Sequence, residues 1–251
     1  MDTYSDNYNY FRCFRNPDYY CKEGKMKNSY STVHYNENLR PYTKYPFLFC
    51  SHLSDAYFKS CTGRLLDICC GRGEHIEIFN KLGFETYGID KEGAAKSRNL
   101  NVKIADVDLE DLPYEDNFFD FVMIKSAIEH IGNIYHVMEN VYRVLKPGGR
   151  IVILTCDWKI AYKIFYDDVD HKTPFTKFSL KDLLLRYDFK NVRIEDFYHL
   201  PYTWRGIFFR IFPRIVSFLI PIDFPQTVRL NPFIKMVKFS RERQILAYGE
   251  K

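Results

Sequence analysis

The stretch "RLLDICCGRGE", residues 64–74, joins a short apolar run to two adjacent cysteines and a Gly-x-Gly turn, with Asp67 set inside the run. The helical pattern "EHIEIFNKLG" follows at once, so the segment reads as strand, tight turn and helix. Three chemistries compete for such a turn. A redox pair at Cys69–Cys70 needs a strained ring and a resolving partner, and the sequence suggests neither. A dinucleotide fingerprint needs a third glycine three residues after Gly73, where this chain has Ile76. That side chain would hold the helix away from the sheet and from a pyrophosphate, and Glu74 would repel phosphate. No Gly-Lys-Ser or Gly-Lys-Thr occurs, which removes a Walker loop. What remains is a cradle for a cofactor without pyrophosphate, one carrying an amino-acid end and a ribose.

Outward from this turn, short apolar runs alternate with helical stretches. "ETYGID", "NVKIADV", "FFDFVMIKS", "RIVILTC", "NVRIEDFYHL" and "RQILAYGE" read as six further strands. Ile134, Val137, Met138, Val141, Val144 and Leu145 share one helical face, and that helix stops at "KPGG". Ser179 with Asp182 reads as a capping box opening another helix. "PFLFCSHLSDAYFK" reads as a lead-in helix. Strands alternating with helices imply an α/β fold with a doubly wound, mostly parallel sheet. Ligands in such sheets lie beyond the carboxyl ends of the strands, at the point where strand order reverses. The quoted turn therefore belongs to the active site.

Asp90 closes the second strand, 23 positions after Asp67, where a carboxylate can accept both ribose hydroxyls. Asp108, in "ADVDLEDLP", stands beyond the third strand, placed to accept the exocyclic amine of an adenine. An acidic loop suits a sulfonium cation better than it suits NAD. Taken in order and spacing, "LLDICCGRGE", "GID", "DLEDLPYEDNFFDFV" and "VLKPGGRIVI" resemble the motifs of class I S-adenosylmethionine-dependent methyltransferases, most closely the small-molecule branch related to quinone-biosynthesis enzymes. The resemblance covers roughly residues 60–160. It implies a Rossmann-like seven-stranded sheet with an antiparallel last strand, and S-adenosylmethionine as cofactor. It also implies that Asp67, Gly71 and Gly73 line the methionine end, Asp90 the ribose and Asp108 the adenine, with Cys69, Lys91, Leu109 and Lys125 completing the cofactor set. Cys69 departs from the pattern by standing where the family usually has the first glycine of the loop.

Composition narrows the setting. Of 251 residues, 46% are hydrophobic and 18% aromatic, a globular balance. No run of 18 apolar residues and no secretory signal pattern occurs. Seven cysteines without a Cys-x-x-Cys pair argue against a disulfide framework or zinc ribbon and for a cytoplasmic setting. The net charge of +4 is uneven: residues 201–251 hold a surplus of +6 and the remainder sums to −2. A basic nucleic-acid face across the body is not expected.

On the acceptor side, methyl transfer to a hydroxyl calls for a base that works near neutral pH, which points to histidine. His130 lies in "SAIEHI", just past the fourth strand. A metal-dependent branch of the family carries Glu-x-x-Glu-His there, but Ser126 replaces the first Glu, so Glu129 and His130 alone make a poor site and no metal is expected. His171 ends the Asp-rich loop "YDDVDH", with Asp167, Asp168 or Asp170 available to orient it. His171, His130 and Asp170 form the expected catalytic set. The division expected is a Tyr-rich lid over 1–48 and a methyltransferase domain over 49–251, with an insertion at about 201–240. In that insertion Trp204, Ile207, Phe208, Ile211, Ile215 and Phe218 fall near one helical face, with Arg205, Arg210 and Arg214 between them, while Pro213 and Pro221 rule out one long straight helix. Such a segment suits an anionic membrane surface, a homodimer interface or a lid. The function expected is O-methylation of a sugar or glycan hydroxyl. A quinone-like or lipid acceptor is the alternative, and a non-catalytic binding protein is the alternative from another class.

Overall fold

A computed structural model describes residues 28, 30–34, 43–93, 99–219 and 232–251. The quoted stretch forms the middle of it. Strand β1 (Arg64–Ile68) lies between β2 (Glu85–Asp90) and β4 (Phe119–Lys125) and runs parallel to both. Beyond them come β3 (Val102–Ile104), β5 (Leu145–Cys156), β6 (Lys190–Phe197) and β7 (Gln244–Glu250), giving the order β3-β2-β1-β4-β5-β7-β6. β7 pairs antiparallel with both β5 and β6. The chain leaves β1 toward β2 and β3, then returns to lay β4 on the opposite side. Strand order therefore reverses between β1 and β4, and the cleft opens at their carboxyl ends.

Both faces of the sheet are covered, which is why the central strands are apolar throughout rather than alternating. On one face Leu66, Ile68, Val122, Ile124, Ile151 and Ile153 pack against helices α4 (Ile134–Val144) and α6 (Lys177–Arg186). On the other, Leu65, Phe121, Met123, Val152 and Leu154 meet α2 (Tyr45–Leu53), the π-helical turn Ser54–Phe58 and α3 (Glu74–Lys81). The remaining helices are α1 (Tyr30–His34), α5 (Trp158–Ala161), α7 (Ile211–Leu219) and α8 (Pro232–Arg241). None of the described helices is long and apolar enough to cross a membrane.

Several local expectations need correction. The helix after the Asp-rich loop is capped by Thr176, whose hydroxyl accepts from the Ser179 amide while Ser179 Oγ accepts from the Thr176 amide. Ser179 is thus the third helical residue rather than the cap, and Asp182 pairs with Arg186 instead. Strand β5 begins at Leu145, before the "KPGG" turn: Phe119 pairs with Leu145 and Phe121 with Arg150, so Lys146–Gly149 bulge out between them. Ile76 does not hold α3 off the sheet. It is fully buried against β2, because Gly88 offers no side chain there; a Cβ on Gly88 would stand 2.3 Å from Ile76 Cδ1. Most of the expected 1–48 lid lies outside the described residues, as does Pro221. Helix α2 crosses the expected boundary at 48/49, burying Phe49, Cys50 and Leu53.

Candidate active site

The turn after β1 is built from left-handed residues. Cys69, Gly71 and Gly73 have φ of 57°, 53° and 74°. Cys69 accepts the strain that a glycine would avoid. Burial, reinforced by Asp67 and Asp90, pushes the Cys69 and Cys70 thiols well up, so neither offers a thiolate for redox chemistry. A Cβ on Gly71 would meet nothing within 4 Å, so open space begins at that backbone.

Three carboxylates face this space or flank it. Asp67 is 2% exposed and its Oδ2 has no hydrogen-bond partner. Burial pushes its carboxyl up to about 8, with the Lys125 charge pulling the other way. His75 Nδ1 stands 4.0 Å away, but burial lowers this imidazole to about 3, so it is a neutral neighbour and no ion-pair partner. Asp90 accepts one amide on each oxygen, from Gly71 (2.8 Å) and Glu92 (2.8 Å), which leaves a lone pair on each for a diol. Asp108 differs. Gly132 N (3.0 Å), Asn133 N (3.2 Å) and Lys172 Nζ (2.9 Å) converge on it and hold its carboxyl low against the pull of burial. That carboxylate ties the start of α4 to the loop before α6. Lys91 is exposed beside Asp90, Leu109 is largely exposed, and Lys125 ends β4 with Nζ 5.8 Å above the Phe49 ring.

Across the cleft the two candidate histidines meet. The rings of His130 and His171 lie 4.6 Å apart, brought together because Lys172 N and Thr173 N both donate to the Glu129 carbonyl. His171 Nδ1 lies 2.5 Å from the Phe165 carbonyl oxygen. A carbonyl only accepts, so Nδ1 carries the proton and Nε2 presents a lone pair. The carboxylate oxygen nearest that Nε2 is Asp168 Oδ2, at 4.0 Å. Asp168 is buried; its Oδ1 accepts from the Asp170 amide and its Oδ2 from the Tyr30 hydroxyl at 3.0 Å. Asp170 acts on His130 through its charge and backbone. Burial and the neighbouring His171 lower His130 to about 4. Glu129 is 3% exposed, takes the Thr155 hydroxyl at 2.8 Å, and has its carboxyl raised by burial.

Two features escaped sequence reading. Tyr30 bridges the cleft: its amide donates to Glu92 beside Asp90, its hydroxyl to Asp168, and its ring meets His130 edge-on at 5.4 Å. Nothing distinguishes Tyr30 from the other tyrosines of the first 45 residues. The second is a third ligand. Among the described residues, Glu129, His130 and His171 bring ligand atoms within 4.8 Å of one another, a spacing a small cation could use. The expectation of no metal counted Glu129 and His130 alone; His171 arrives from another loop.

Comparison with known proteins identifies a methyltransferase domain in the middle of the chain. Residues 66–153 match the methyltransferase domain family. The chain is 25% identical to a SAM-dependent methyltransferase from Archaeoglobus fulgidus, with a TM-score of 0.60 over 89% of this chain and all of that one. The chain carries a methyltransferase domain over residues 66–153, on a fold shared with S-adenosylmethionine-dependent methyltransferases. Among curated relatives, an uncharacterised protein of Methanocaldococcus jannaschii is 33% identical over 139 residues, 52% of this chain and 66% of that protein. A demethylmenaquinone methyltransferase of Staphylococcus saprophyticus is 31% identical over 119 residues, 41% of this chain and 51% of the relative. The chain thus spans about half to two thirds of these curated relatives. S-adenosylmethionine fits what the turn offers: a buried unpartnered carboxyl oxygen on Asp67 for the ammonium of the amino-acid end, open space at Gly71, and two spare lone pairs on Asp90 for a ribose diol.

Proposed function

We propose that the protein is an S-adenosylmethionine-dependent O-methyltransferase acting on a hydroxyl of a sugar or glycan, with His171 as the base. When bound, the cofactor supplies an electrophilic methyl group on a cationic sulfur. Asp67 would face the ammonium of the cofactor's amino-acid end, Asp90 would bind the ribose hydroxyls, and the Gly71–Gly73 backbone leaves room between them. His171 Nε2 would take the acceptor's proton, and the freed oxygen would receive the methyl group that the cofactor supplies. Asp168 stabilises the resulting imidazolium, and the Phe165 carbonyl keeps the ring in the tautomer that can accept.

The observation that carries this proposal is the His171 tautomer: Nδ1 is committed to the Phe165 carbonyl, so Nε2 keeps its lone pair, with Asp168 Oδ2 4.0 Å away. The polar groups around it, Tyr30, Asp168 and His130, suit a hydroxylated acceptor better than a hydrocarbon one. A quinone-like acceptor is the second reading, favoured by the likeness to demethylmenaquinone methyltransferases. Radiolabelled methyl transfer from S-adenosylmethionine to a panel of free glycans, sugar nucleotides and quinols tests both. Label on a sugar oxygen is the expected result. Label on a quinol alone moves the protein to the second reading, and cofactor binding without label on any acceptor overturns both.

A further inference from the structure

The segment between β6 and β7 has one face that the fold uses and one that it does not. Trp204 anchors it: the indole stacks on His52 at 4.7 Å and on Phe197 at 5.4 Å, and its Nε1–H donates to the Tyr198 carbonyl at 2.9 Å. Arg210 adds an ion pair to Glu195 at 3.2 Å. Past that anchor the apolar side chains turn outward. Phe208 is 81% exposed, Phe218 85%, and Ile211 and Ile215 about half. Pro213 is the buried residue of α7. These side chains give one segment an exposed apolar face, and such faces mark interaction sites.

Charge selects the partner. Beside Phe218 an open cleft of about 350 Å³ is lined by Arg214, Arg241 and Arg243 together with Ser217 and Ser240. Arg243 is held between Asp157 (3.4 Å) and Asp196 (2.9 Å), while the half-exposed Arg214 stands 3.7 Å from Asp196. Guanidinium and hydroxyl donors on one wall suit phosphate oxygens, and Arg205 is exposed on the same segment. A second copy docking through this patch about a two-fold axis would set arginine against arginine.

We propose that this segment docks on an anionic phospholipid bilayer: Phe208, Ile211, Ile215 and Phe218 enter the interfacial layer, and Arg205, Arg214 and Arg241 meet lipid phosphates. Arg205 and Arg214, exposed on the segment that carries these apolar side chains, orient that face toward the membrane. Docking is independent of methyl transfer, so its failure leaves the proposed activity untouched.

Sedimentation of the full chain with vesicles tests it, without cofactor or acceptor. The expected result is binding to vesicles containing phosphatidylglycerol, weak binding to pure phosphatidylcholine, and release at high salt. F208S/F218S changes two side chains already in solvent, so it should fold normally and bind about tenfold more weakly or worse. R205Q/R214Q should lose about fivefold per charge. Failure of the wild type to bind phosphatidylglycerol vesicles overturns the proposal. So does unchanged binding by F208S/F218S, or a wild-type dimer that F208S/F218S splits to monomer. Unfolding of F208S/F218S, read by circular dichroism, also overturns it by showing that the face packs within the chain.

Discussion

The two walls proposed for the cleft, one for cofactor and one for acceptor, are made differently. The cofactor wall is nearly contiguous: Asp67, the Cys69–Gly73 turn and Asp90 come from one strand–turn–helix–strand unit, locked by Ile76 against Gly88. The acceptor wall is assembled from Tyr30, Glu129–His130 and Asp168–Thr173, held together by loop-to-loop bonds such as Lys172 to Asp108 and Lys172 N to the Glu129 carbonyl. A local unit can be preserved by short motifs, whereas an assembled wall can exchange one member without erasing the rest. The contrast accounts for a family match that begins at residue 66 and ends at 153, short of His171.

The contrast breaks most directly at His171. His171→Ala should lower turnover about 100-fold or more and leave cofactor affinity nearly unchanged. His130→Ala should do less, since its pKa, lowered to about 4, makes it a weak base near neutral pH. A larger loss in His130→Ala, read by steady-state kinetics, would exchange their roles. Activity abolished by a chelator and restored by a divalent ion would instead make Glu129, His130 and His171 a cation site.

On the cofactor wall, Asp90→Ala should weaken S-adenosylmethionine binding by roughly 1.5–3 kcal/mol, the loss of charge-assisted hydrogen bonds. Titration calorimetry measures this directly, and unchanged affinity would remove Asp90 from the site. Turnover at saturating cofactor should fall far less than in His171→Ala, which separates the two walls.

The smallest effect per group is acid sensitivity. His130, His75 and His199 have folded pKa values lowered by burial to about 4, 3 and 3 from 6.5. Below the unfolded value the unfolded chain binds more protons than the folded one, so stability present above pH 6.5 is lost as pH falls toward these values. Each should contribute about 1–2 kcal/mol of destabilisation by roughly pH 5. Thermal melts across that range check it, and a melting temperature flat with pH would mean that these rings are hydrated.

Much of this molecule is legible in the chain alone. The central parallel strands β1, β2 and β4 fall where their apolar runs place them, because a parallel sheet buried on both faces needs such runs. Asp67 and Asp90 are readable because local spacing fixes their distance from the turn. That α4 stops short of "KPGG" is readable because proline restricts the residue before it as well as its own backbone. What only tertiary structure decided are the outcomes that depend on a second segment. Thr176 rather than Ser179 caps α6, and Gly88 makes the room for Ile76. Asp168 rather than Asp170 stands at His171 Nε2. Asp108 braces two loops, contacts that its expected place beside an adenine did not foretell. Periodicity encodes which face a residue takes, since that follows from backbone geometry. Which partner waits on that face depends on the three-dimensional path of another part of the chain, and no short window of sequence contains it.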